Sequence, residues 1–142
     1  MKRQLKLMLL LLGVLFMILT GCKKEHAVPT TITMTSLAST PEPYTETGTF
    51  VSTGGLTTSG TFVMIIEFIG TDAIHCIATM TTAKGTFIQT LDCSLVTNEG
   101  EWNIISGTGA YSFLKGTGSL LMTFPPGVLG METQTGVVWL HK

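Results

Sequence analysis

The stretch Ser106-Gly-Thr-Gly-Ala-Tyr-Ser-Phe-Leu-Lys-Gly-Thr-Gly-Ser-Leu120 holds two Gly-Thr-Gly units with an aromatic pair between them. A phosphate-binding loop needs Gly-x-x-x-x-Gly-Lys followed by Ser or Thr, set between a strand and a helix. Here Lys115 precedes Gly116 and no helical pattern follows, so that reading fails. A dinucleotide-binding turn fails too, because no β-α-β unit surrounds the stretch. The flanks are strand-like: Glu101-Trp-Asn-Ile-Ile105 before it and Ser119-Leu-Leu-Met-Thr-Phe124 after it. Gly107 and Gly109 permit positive φ, where other residues meet a steric cost. Tyr111 and Phe113 are then expected to fold over the end of a β-structure, and Gly116 and Gly118 to open the next strand where backbones crowd. The stretch reads as a strand–corner–strand unit.

The same grammar runs outward from it. β-branched and aromatic runs bounded by Gly, Asp and Pro predict strands at 48–53, 59–69, 73–81, 86–95, 101–106, 117–124 and 133–140. No helical repeat is found after residue 21. Short strands at near-regular spacing predict an all-β sandwich or an antiparallel up-and-down barrel.

The residues at the corner, Trp102-x-Ile104, Ser106-Gly107-Thr108-Gly109-x-Tyr111 and Leu114-x-Gly116-x-Gly118, resemble the signature of the allene oxide cyclase and dirigent barrel superfamily. Members often read Gly-Gly-Thr-Gly-x-Phe-x-x-Ala-x-Gly, and Ser106 departs from the first Gly. The resemblance implies an antiparallel barrel of about eight strands, often trimeric. It matches only the corner. The catalytic residues of the cyclases and the charged pocket groups of the dirigent proteins have no counterpart here, so no catalytic residue is assigned.

The start of the chain speaks to location. Lys2, Arg3 and Lys6 precede an apolar run from Leu7 to Leu19. A membrane-spanning helix needs about 20 apolar residues, so the run has the length of a signal-peptide core. Leu19-Thr20-Gly21-Cys22 resembles the lipobox of bacterial lipoproteins. That implies cleavage after residue 21, acylation of Cys22, and a membrane partner through an N-terminal lipid anchor. Lys23 rather than Asp follows the Cys, which by the same resemblance implies the outer membrane. Residues 22–46, rich in Thr, Ser and Pro, read as the acylated N-terminus and a flexible tether, with residues 47–142 as the barrel domain. Alternating Ile32 and Met34 give the tether its one hint of an edge strand.

Beyond residue 21 five lysines stand against nine acidic residues, a net of −4 with no arginine. Nucleic-acid binding, which needs clustered cations, is excluded.

If Lys84-Gly85 centres a hairpin, Cys76 falls opposite Cys93, and a disulfide is expected in an oxidising compartment. The alternation also places Cys76, Ala78, Met80, Phe87, Leu91 and Cys93 on one face. In Thr61-Phe-Val-Met-Ile-Ile-Glu-Phe-Ile69 both faces are apolar, which predicts that both are buried, the second by another copy in a homo-oligomer. Glu67 within this run, His75, Trp102 and Tyr111 are the candidate pocket residues. A carboxylate in an apolar setting has its proton affinity raised, and aromatic rings can wall a ligand site. His75 and Cys76 are adjacent on a strand and point to opposite faces, so no metal site is assigned, nor any cofactor. The function expected is a lipid-anchored envelope barrel that binds a small apolar ligand or a partner. The competing readings are a cyclase- or dirigent-like protein using a pocket carboxylate, and a purely structural envelope protein.

Overall fold

The computed structural model describes residues 25–140. The expected signal-peptide segment and Cys22 lie outside them. Eight antiparallel strands close into one barrel, each paired with its neighbours in sequence and the last with the first. The strands are β1 (Ala27–Pro41), β2 (Tyr44–Gly54), β3 (Thr58–Ile69), β4 (Ala73–Thr82), β5 (Gly85–Ser94), β6 (Glu99–Gly107), β7 (Lys115–Thr123) and β8 (Gly130–Trp139). The all-β, up-and-down expectation holds.

Strict alternation builds the core. Ile32 and Met34 of β1, Phe50 of β2, Phe62 and Met64 of β3, and Val138 of β8 all point inward and are buried. The six positions of β4 and β5 expected to share a face do share it, and all are buried. The outward face of β1 is Thr31, Thr33 and Thr35, β-branched residues that suit a strand and tolerate water.

Two expectations about the strands are corrected. Residues 27–46 are barrel, not tether. Thr30, Ile32, Met34 and Ser36 alternate into the lumen, and β1 bonds to β2 on one side and β8 on the other. A tether reading fails because closing the cylinder requires this strand.

The second correction concerns the β4–β5 hairpin. Its turn is Ala83-Lys84, with Thr82 opposite Gly85, so partners are displaced by two residues from the expected register. Cys76 faces Leu91, Cys93 faces Ile74, and both cysteines are free. A displacement of two leaves every side chain on its face. The face assignment therefore survives while the disulfide does not.

On β3, Phe62 and Met64 are buried, while Val63, Ile65 and Ile69 on the other face are about half exposed, at 49%, 50% and 52%. A barrel strand buries one face, and among the described residues nothing covers the other.

Odd-to-even loops and even-to-odd loops define two ends. The corner sequence seals one of them. A single 3-10 turn, Gly109–Tyr111, follows β6. Gly109 takes φ +59°, and a Cβ there would lie 2.5 Å from the Lys84 carbonyl oxygen. Gly107 has no positive φ; its constraint is the Tyr111 carbonyl oxygen, 2.1 Å from where a Cβ would stand. Ala110 N–H donates to the Lys84 carbonyl and Thr108 N–H to that of Thr86, which ties the corner to the β4–β5 hairpin. Tyr111 is buried beneath it, edge-on to Phe87 at 5.4 Å, and Phe87 is edge-on to Phe50 at 5.8 Å. Phe113, expected beside Tyr111, is instead 71% exposed. Trp102 fills the lumen from β6, and a Cβ on Gly116 would stand 2.9 Å from its ring. Buried side chains fill this half. Truncating such a buried Trp costs about 3–5 kcal/mol.

Candidate functional site

The opposite end stays open. A cavity of about 180 Å³ enters the lumen there. Its walls come from the ends of strands that meet the β1–β2, β3–β4, β5–β6 and β7–β8 connections. Met64, Ile66, Ile74, Leu91 and Leu120 give it apolar sides, while Tyr44, Phe68 and Phe124 stand near the rim. Tyr44 and Phe68 meet edge-to-face at 5.7 Å, with ring planes at 74°. Met122 and Met131 add polarisable thioethers.

Two carboxyl groups face this apolar space, Glu46 from β2 and Glu132 from β8. Glu132 is 7% exposed. On β8 it sits level with Met34 of β1 and Met122 of β7. Gln134, two residues on along the same face, donates from Nε2 to Glu132 Oε1 at 3.1 Å. Burial pushes the Glu132 carboxyl up to about 7; the Gln134 hydrogen bond opposes this and the Glu46 charge adds to it.

Beneath lies a layer of amides. Gln89 and Gln134 are fully buried, and each directs Nε2 at Met34 Sδ, at 3.2 and 3.1 Å. Their Oε1 atoms have no hydrogen-bond partner among the described residues. Cys76 and Cys93 also reach the cavity wall. Burial, followed by the Glu132 charge, pushes Cys76 up to about 12 and Cys93 up to about 11. Both are thiols at neutral pH, and Cys93 Sγ donates to the Glu99 carbonyl at 3.3 Å.

None of the four pocket residues expected from the sequence lines this cavity. Glu67 is exposed on the outer face of β3, opposite His75 of β4. His75 bonds through Nδ1 to Asp92 Oδ1 at 2.6 Å, also outside. Trp102 is core. Tyr111 plugs the sealed end, where its hydroxyl bonds to those of Thr58 and Thr82 at 3.0 and 3.1 Å. Inward parity in the apolar run belongs to Phe62, Met64 and Ile66, which leaves Glu67 outside.

The residues that were missed, above all Glu132, carried a signal. Val138 is an obvious inward residue, and stepping back by twos gives Gly136, Gln134 and Glu132. The expected strand began at residue 133 and stopped short of it. Among the described residues no group of three His, Cys, Asp or Glu side chains is placed to hold a metal ion.

No family model, no curated protein and no solved structure matches this chain.

Proposed function

We propose that this chain is a lipid-anchored barrel of the bacterial cell envelope that binds a small, largely apolar molecule in the open mouth of its lumen. One observation carries the reading: one half of the lumen is filled by buried side chains, and the other half holds a largely apolar cavity with a buried carboxyl in its wall. Small-molecule sites have this make-up, apolar walls with few polar groups. A purely structural barrel has no need to leave the second half open.

The anchor and the mouth fit one arrangement. β1 starts at Ala27 at the sealed end. Cys22 precedes it by five residues, a reach of about 17 Å when extended. Acylation there holds the sealed end toward the membrane and turns the mouth to the aqueous side. The lumen is lined mainly by apolar side chains, where a barrel embedded in lipid has a polar interior. The eight-stranded barrel and its glycine corner agree with the likeness to the allene oxide cyclase and dirigent superfamily. That likeness also carries the oligomer proposal: a second copy of this chain covers the exposed Val63, Ile65, Ile69 and Ile77 on the outer face of β3 and β4.

A second reading, a protein that also turns its ligand over, has Glu132 on its side. It is a buried carboxyl whose proton affinity suits exchange near neutral pH.

Methionine methyl NMR tests the binding site. Residues 25–142 contain every strand of the closed sheet and serve as the sample. Titration with 1-hexanol is expected to shift Met64, Met122 and Met131 saturably and leave Met80, in the sealed half, in place. Met64→Trp is expected to abolish the shifts while the β circular-dichroism spectrum is kept. Wild-type protein that shows no saturable shift at these three methionines overturns the proposal.

A further inference from the structure

We propose that the ligand of this mouth is cationic, an apolar molecule ending in a protonated amine whose ammonium group sits against Glu132. This rests on the reading of the mouth as a binding site and adds the chemistry it selects.

Among the described residues, the cavity wall contains Glu46 and Glu132 but no lysine, arginine or histidine. A fatty acid or any other anion entering it meets like charge in a poorly solvated space. A neutral alcohol leaves the buried carboxyl without a counter-charge. An ammonium supplies that charge and three hydrogen-bond donors.

The lumen is short of donors in the same region. The Oε1 atoms of Gln89 and Gln134 are buried acceptors with no donor among the described residues, and Gln134 is the residue bonded to Glu132. Aromatic faces and thioethers at the rim, Tyr44, Phe68 and Phe124 with Met122 and Met131, are the neutral surroundings an alkylammonium tolerates best.

The whole molecule repeats this polarity along the barrel axis. Every acidic residue of the chain except Glu25 lies in the half that holds the mouth. The described lysines, Lys84 and Lys115, are both at the sealed end, where Lys115 pairs with Glu25 at 3.6 Å. A field so arranged draws cations to the mouth and turns anions away.

Binding of an ammonium to ionised Glu132 is linked to loss of the Glu132 proton, so affinity rises from pH 5.5 to pH 8. The groups facing Glu132 are Glu46 and Tyr44 from β2, Cys76 from β4 and Cys93 from β5; flanking β1 and β7 present Met34 and Met122. The two cysteines stay neutral thiols across that range.

Hexylamine, 1-hexanol and hexanoate, matched in length, separate the alternatives in the same methionine methyl titration. At pH 7.5 hexylamine is expected to bind about tenfold tighter than 1-hexanol, with hexanoate weakest. Glu132→Gln is expected to bring hexylamine down to the level of 1-hexanol and leave 1-hexanol within about twofold of wild type. Glu46→Gln, nearer the rim, is expected to give a smaller loss of the amine preference. Equal binding of amine and alcohol by the wild type overturns the cationic ligand and leaves the binding site standing. An amine preference that survives Glu132→Gln overturns the role of Glu132. If none of the three compounds moves the methionine signals, both proposals fall.

Discussion

Gln134 donates a hydrogen bond to Glu132 at 3.1 Å inside the barrel lumen. The bond favours the ionised carboxyl, yet burial outweighs it and raises the carboxyl from 4.5 to about 7. The folded chain therefore holds this proton more tightly than the unfolded chain. Between pH 4.5 and pH 7 the folded state binds more protons, so stability falls as pH rises through that window. The full penalty at pH 8 is of order 3 kcal/mol. Glu132→Gln removes the titrating group. Urea unfolding is expected to show the variant more stable than wild type at pH 8 and close to it at pH 5. A stability difference that does not change with pH would place Glu132 in contact with water.

The two cysteines give a second test. Both are buried, and both thiols are pushed well above the ordinary range, Cys76 to about 12 and Cys93 to about 11. Thiolate is the reactive form. Native residues 25–142 at pH 8 are expected to leave both unmodified by a thiol-reactive dye over minutes, and the same residues unfolded in urea to label at two sites at once. Intact mass before labelling is expected to show both reduced, since the register sets Cys76 opposite Leu91.

How much of this was legible in the sequence depends on what each residue needed. Seven strands were readable because their alternation is carried by large apolar residues, such as Phe62, Met64, Phe87 and Leu91. β1 was not, because half of its inward positions are Thr30 and Ser36, and only the pairing with β8 shows that they are buried. The corner was readable because Gly109 alone can take its backbone angle against the Lys84 carbonyl. The disulfide failed on a hairpin turn placed one residue too late, a difference composition does not reveal. The site was hidden for a different reason. Glu132 lies in a segment that reads as polar and solvent-facing, and its burial depends on barrel closure between residues 100 positions apart, such as Met34 and Gln134. Glu67 was visible only as an anomaly in an apolar run.

Tyr111 is the plug of the sealed end, and its two halves can be separated. Tyr111→Phe keeps the ring against Phe87 and removes the hydroxyl that bonds to Thr58 and Thr82. A loss of about 1 kcal/mol is expected. Tyr111→Ala also removes the ring and is expected to cost roughly 3–5 kcal/mol. Thermal unfolding of the two variants checks the ratio. Neither change touches the mouth, so 1-hexanol binding is expected to persist in Tyr111→Phe.

The amide layer yields a pair of substitutions with opposite signs. Gln89 and Gln134 both donate to one sulfur, Met34 Sδ, a weak acceptor, and each keeps a buried unpaired oxygen. An unsatisfied buried acceptor costs about 1–3 kcal/mol. Gln89→Met is close in volume, gives up one weak bond and removes one such acceptor. It is expected to be neutral or to stabilise by about 1 kcal/mol. Gln134→Met removes an acceptor too, but it also takes away the donor that supports ionised Glu132. That loss grows as the carboxyl deprotonates, so Gln134→Met is expected to fall below Gln89→Met in stability at pH 8 and to approach it at pH 5. Denaturant midpoints of both variants at the two pH values decide the matter. An unchanged gap between the two variants at both pH values would mean that Gln134 serves packing alone, and that the bond to Glu132 contributes nothing to holding its charge.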